Sequence, residues 1–244
     1  MTASKPPRPN ASVSDLLDAA SQLFRATLLK CLPFAMVAVL CLEIPNLYWV
    51  ASGHTLSFGL PSDSNYWLLA YPASAVTAFI VSAMMLRQRA FASGATIDFR
   101  AELGAAGRRL PLVLASWILA QLSLFVGVML LILPGIFLLV CYVVLLPVLL
   151  FENLNPYTAL VRCIQLVLPH WWKVLATIVI ALLVLLVCTL AAAAVLSILA
   201  ALLGGPGAAV QAMVAAVTIG IWAIGCVFLS ALALTLHSAA SSSA

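Results

Sequence analysis

The sequence predicts an all-α integral membrane fold: six transmembrane helices in three hairpins, each hairpin preceded by a cytoplasmic amphipathic interfacial helix, with both termini inside. Three observations carry this expectation. Apolar residues fill 65% of the 244 positions and charged ones only 7%, with a mean hydropathy of +1.20, outside the balance of a soluble domain. The apolar residues gather in runs long enough to cross ~30 Å of hydrocarbon, which takes ~20 helical residues. All eleven Lys and Arg fall on one side of the resulting arrangement, as cationic residues at the ends of spans do on the cytoplasmic face.

Residues 1–11, with Lys5 and Arg8 among prolines, read as a disordered cytoplasmic tail without the apolar middle and cleavage site of a secretory signal. Residues 12–238 read as a single six-helix membrane domain, and 239–244 as a second disordered tail. The domain opens with an amphipathic stretch in which Val13, Leu16, Leu17, Ala20, Leu23, Phe24 and Leu28 share one face, with Ser12 or Ser14 as the cap. The first span, 31–50, follows Lys30 and ends in Tyr48 and Trp49, with Glu43 and Pro45 interrupting its outer third. A polar loop leads to the second span, 66–86, which stops at Arg87 and Arg89.

The third stretch carries Asp98, Phe99, Arg100, Glu102, Leu103, Arg108 and Arg109, but also Gly104 and Gly107, so it is a weaker amphipathic segment. The apolar region 110–151 is too long for one crossing. Pro134 and Gly135 divide it into spans 110–131 and 134–151 joined by a tight turn, because proline disfavours α geometry in the residue before it. Next, Asn155 as cap and Pro156 at the first helical position begin a segment presenting Leu160, Cys163, Ile164, Val167 and Trp171. The last spans are 174–203 and 208–234, separated by Gly204, Gly205, Pro206 and Gly207.

Two of the amphipathic stretches look like copies of each other. Aligning Gln22 with Gln165 also matches Leu17 with Leu160, Leu23 with Leu166, Lys30 with Lys173 and Leu32 with Leu175. Both suit a helix lying at the membrane interface, so an internal repeat is expected.

Four motifs between residues 131 and 176 carry a family resemblance: Pro134-Gly135-Ile136-Phe137, Pro147 to Glu152, Asn155-Pro156 to Leu166, and Trp171-Trp172-Lys173. In these the chain resembles a multi-helix prokaryotic membrane family, which includes the membrane domain attached to some glycerophosphodiester phosphodiesterases and the YciC-like inner-membrane proteins. The resemblance implies a bacterial inner-membrane location. Cys163 stands where that family usually has serine, and Leu168-Pro169-His170 replaces a more basic, glycine-containing approach to the tryptophans. Phosphodiesterase activity does not follow, because six spans leave no room for the ~250 residues of a (β/α)₈ catalytic domain.

Few residues offer chemistry. Glu43 is the single acidic residue inside an expected span, and an ionisable group at that depth is a functional candidate. Glu152 ends the fourth span, where Arg162 or Lys173 can pair with it. Arg162, His170, Trp171, Trp172 and Lys173 form an aromatic and basic anchor suited to anionic headgroups. Gln121 and Gln211 are expected to bond between helices, and the small residues Ala191 to Ala194 and Gly220 to Gly225 to allow close approach. Cys31, Cys41, Cys141, Cys163, Cys188 and Cys226 read as buried hydrophobes, without metal-ligand spacing. His54, His170 and His237 fall in an outer loop, at the inner interface and in the C-terminal tail.

The expectation is a non-enzymatic membrane protein with no cofactor and no nucleic-acid partner, whose partners are membrane lipids, a membrane protein or its own copies. The alternatives are a transporter or channel using Glu43, and an intramembrane enzyme that would need Glu152, His170 and Arg162 in one pocket.

Overall fold

The computed structural model describes residues 12–52, 63–95, 99–130, 132–152, 154–202 and 208–241. The N-terminal tail, His54, Asp98, Leu131, the Gly204–Gly207 break and the side chain of Gln211 lie outside that set. Eight α-helices account for nearly all of it, with no strand among the described residues: α1 Val13–Ala51, α2 Ser64–Ala92, α3 Phe99–Leu130, α4 Ile132–Tyr142, α5 Leu145–Phe151, α6 Pro156–Val167, α7 Trp171–Leu202 and α8 Ala208–Ser241. Six helical segments are long and apolar enough to cross a bilayer, which marks the chain as a multi-pass membrane protein.

The helix starts and breaks follow local chemistry. A capping box opens α1: Asp15 N–H donates to Ser12 Oγ at 3.2 Å, and Ser12 N–H donates to Asp15 Oδ2 at 2.9 Å, satisfying two donors that the first turn leaves free. At the other end of the first pair, Gly94 takes φ +72°. There its N–H donates to the carbonyl of Phe91 and that of Ala95 to the carbonyl of Ala90, the paired bonds by which a left-handed glycine ends a helix.

The boundaries differ from the sequence reading in instructive ways. The first amphipathic stretch and the first span are one 39-residue helix, about 58 Å long at ~1.5 Å per residue, and α3 fuses the third stretch with its span in the same manner. In the second copy only a three-residue 3₁₀ turn, Leu168–His170, separates α6 from α7, at Pro169, which has no N–H to offer the carbonyl of Gln165. The fourth span is broken at Val143 and Val144 into α4 and α5. Pro147 explains this, since its ring crowds the carbonyl of Val143 and it cannot donate to it. Pro134 sits in the first turn of α4, where a missing N–H costs nothing. Helical Gly135 serves close packing rather than a turn: a Cβ on Gly127 would lie 3.3 Å from Gly135 Cα and 3.1 Å from Leu138 Cδ1. Finally, α8 continues to Ser241, three residues past the expected end of the domain.

Packing is concentrated at one end. α1 packs along α2 and α8, α3 along α2 and α4, and α7 along α8, while α6 lies against α3, α4 and α5. Every residue from Ser230 to Leu236 is buried, and so are Leu145 and Pro147 to Leu150 of α5. By contrast most of α7 beyond Ala181 is exposed apolar surface, a state that lipid tolerates and water does not. Of the small residues expected to pack, Ala191, Ala193 and Ala194 are exposed and Gly220 meets open space, whereas Ala223 is fully buried in the core shared with α1 and α2, and Gly225 is pressed against α7 at Leu185.

The two amphipathic copies share one buried register. In the alignment of Gln22 with Gln165, the pairs Leu16 and Ala159, Ala20 and Cys163, Leu23 and Leu166, Cys31 and Val174, Ala35 and Ile178, and Ala38 and Ala181 are all buried. Gln22 and Gln165 are both exposed.

The Gly127 contact gives a direct test. Gly127→Leu is expected to lower stability in an SDS titration by ~1–3 kcal/mol through overpacking against backbone. Gly104→Ala, which meets nothing within 4 Å, should be neutral or stabilising by up to ~1 kcal/mol from helix propensity. Equal behaviour of the two variants would contradict the close approach of α3 and α4.

Candidate functional site

Several long polar side chains converge where α2, α3, α5, α6 and α8 meet. Arg87, Gln88 and Arg89 close α2, and because successive helical residues turn by ~100°, they reach three different neighbours. Arg87 grips Glu102 of α3, Nη2 to Oε2 at 2.6 Å with Nε donating to both carboxylate oxygens. Its Nη1 also donates to the carbonyl of Lys30 at 3.1 Å, and its guanidinium lies over the Phe34 ring. Glu102 is 2% exposed, so this bidentate pair is shielded from water on the carboxylate side. Gln88, fully buried, donates from Nε2 to the carbonyl of Val227 on α8 at 3.1 Å. Arg89 covers the Phe151 ring at 3.7 Å from its centroid.

Glu152 is the hub of the second half. It caps α5, accepts from Arg162 Nε of α6 at 3.1 Å on Oε2, and meets His237 Nε2 of α8 at 2.9 Å on Oε1. The His237 ring also lies 6.2 Å from that of Phe151, and Arg109 Nη1 donates to the carbonyl of Leu149 at 3.2 Å. One short stretch, residues 149–152, therefore receives α2, α3, α6 and α8.

The sequence-predicted residues divide accordingly. Glu152 and Arg162 come together, and the recorded contacts of Glu152 are with Arg162 and His237, not with His170 or Lys173. His237, assigned by sequence to a tail, lies inside α8 and completes the junction. Trp171 and Trp172 stack edge to face at 4.5 Å; Trp171 also packs on Phe137, and Trp172 is 74% exposed. Glu43 lies toward the opposite end of α1. There Oε2 accepts from Asn46 at 3.2 Å, and Asn46 accepts in turn from the Tyr66 hydroxyl. Tyr48 donates to Asp63 nearby, beside an aromatic group of Trp49, Tyr66, Trp67 and Tyr71. Gln121 is exposed rather than set between helices.

Sequence reasoning missed Gln88 and the burial of Glu102. The run Arg87-Gln88-Arg89 at the end of a span was the available signal, since three adjacent polar residues on a helix cannot share one face. All six cysteines are free, with Cys31, Cys141 and Cys163 buried. Among the described residues no three His, Cys, Asp or Glu side chains gather as for a metal ion. Both oxygens of Glu152 and of Glu102 are engaged, and each carboxylate joins helices. Among the described residues three buried side-chain polar atoms have no hydrogen-bond partner: Gln88 Oε1, Ser116 Oγ and Trp171 Nε1.

No protein-family model, curated protein or solved structure matches this chain.

The two ion pairs should differ in weight. Removing one member of a buried pair costs ~3–5 kcal/mol, whereas exposed pairs contribute ~0–1 kcal/mol. With Arg162 34% and Glu152 22% exposed, Arg162→Ala is expected to lose ~1 kcal/mol and Glu102→Gln at least ~3 kcal/mol. Denaturant midpoints of both variants in micelles check this, and a larger loss for Arg162→Ala would overturn the ranking.

Proposed function

We propose that this is a non-enzymatic multi-pass protein of the bacterial inner membrane, with both termini cytoplasmic, that organises lipid or a partner protein at its cytoplasmic face. One observation carries the reading: the groups that could do chemistry are paired with one another to join helices, while other cations are left on the surface. Arg25, Arg100, Arg108 and Lys173 are exposed, and Lys30 is exposed beside the Phe91 ring. The positive-inside rule places this end in the cytoplasm, where each basic residue near an anionic leaflet contributes ~1 kcal/mol of attraction. The resemblance of residues 131–176 to the glycerophosphodiester phosphodiesterase membrane domain and the YciC-like proteins supports the bacterial setting, and no catalytic role carries over from that membrane portion residue by residue.

Native mass spectrometry of the detergent-purified protein tests the proposal. Wild type is expected to retain an anionic phospholipid that a Trp172→Ala/Lys173→Gln variant loses; both side chains are exposed, so the fold should survive. Retention of no lipid and no protein partner by wild type would refute the proposal.

A further inference from the structure

The two copies share a buried register but not an exposed one. On the outward side of α6 and the start of α7, Tyr157 is 70%, Leu168 57% and Trp172 74% exposed, with Val161 between them. At offsets of 4 and 11 residues Tyr157, Val161 and the C-cap Leu168 lie within ~40° of one another on α6, and Trp172 follows past the 3₁₀ turn as an exposed side chain at the start of α7. Beyond the turn α7 goes on exposing apolar side chains, Val179 and Leu183 among them, and on α6 the stripe is flanked by the exposed Gln165. In the first copy the equivalent positions are Ser14, Asp18, Arg25 and Leu29, all exposed. A helix whose two opposite sides are both apolar is not suited to one bundle face and one water face.

We infer that the outward stripe of α6 is seated in the cytoplasmic leaflet, at the boundary of headgroups and acyl chains, while the matching stripe of α1 faces water. The inference deepens the lipid half of the proposed function and rests on its assignment of sidedness. The occupant is lipid because the stripe is continuous with the apolar surface of α7, the part of the chain most suited to hydrocarbon. Tyr157 and Trp172 are the amphipathic ring types that settle at headgroup level, and the exposed Lys173 follows at once. Asp18 and Arg25 in the first copy would lose hydration in the same place. The repeat thus holds one helix pattern against the bundle twice and turns one copy toward lipid, the other toward water.

Collision-gradient electron paramagnetic resonance decides this, with nitroxides at Val161→Cys and Asp18→Cys in a cysteine-free chain reconstituted in neutral phosphatidylcholine vesicles. At Val161 oxygen collisions are expected to exceed those with a water-soluble nickel chelate several-fold, and at Asp18 the order should reverse. Nickel access at Val161 equal to that at Asp18 would overturn the inference in favour of water. Low access to both reagents would overturn it in favour of a protein neighbour, such as a second copy. If replacement of buried Cys163 prevents folding, a photo-crosslinking residue at Val161 in the native-cysteine chain gives the same reading, as a lipid adduct or a protein adduct. Because the vesicles are neutral, failure of anionic-lipid retention leaves this result untouched, and failed seating leaves headgroup retention untouched.

Discussion

An amide group in hydrocarbon finds no water to bond, and each one left unpaired there costs several kcal/mol. With 65% of its residues apolar, the chain meets that constraint along six apolar helical segments of crossing length. The same constraint decides where polar side chains can go. They collect at helix ends, paired or exposed: Arg87 with Glu102, Glu152 with Arg162 and His237, and Asn46 with Glu43. Few remain in the middle, and those mostly bond to their own backbone, as Thr189 does to the carbonyl of Leu185.

From this follows the uneven packing of the molecule. Interfaces between apolar helices in lipid gain little from hydrophobicity and depend on fit and hydrogen bonds. Tight packing and polar clamps therefore occur together, around α5, the end of α8 and the first half of α1. The clamps join α1, α2, α3, α5, α6 and α8. Tyr142 at the end of α4 shares a 2.9 Å hydroxyl contact with Ser123 of α3, whereas α7 presents apolar side chains on most of its length beyond Ala181.

Much of the fold was legible because hydropathy and charge speak directly to the bilayer constraint. The six apolar helices and the cap position Asn155 read from composition and spacing, and the structure selects Ser12 over Ser14 as the first cap and Arg162 over Lys173 as the partner of Glu152. What was not legible depended on continuity and on distant contacts. Nothing in the charge pattern tells whether an amphipathic stretch bends into the interface or runs straight into its span, and α1 runs straight. The break at Val143 and Val144 comes from Pro147, a proline that the sequence reading placed inside a span without assigning it a kink. Gly135 looked like a turn residue because it follows Pro134, whereas its neighbour Gly127 shows it to be a packing residue. His237 could be placed at Glu152 only once α8 was seen to continue past the apolar run, bringing together residues 85 positions apart.

By the positive-inside rule α2 is expected to carry the chain across the membrane from its aromatic end to its Arg87-Gln88-Arg89 end. The most direct measurement is labelling by a membrane-impermeant maleimide in intact and permeabilised cells, using Ser52→Cys before α2 and Ser93→Cys after it, against the unsubstituted chain as background. The account predicts that Ser52→Cys reacts in intact cells and Ser93→Cys only after permeabilisation; reaction of both from the same side would contradict it.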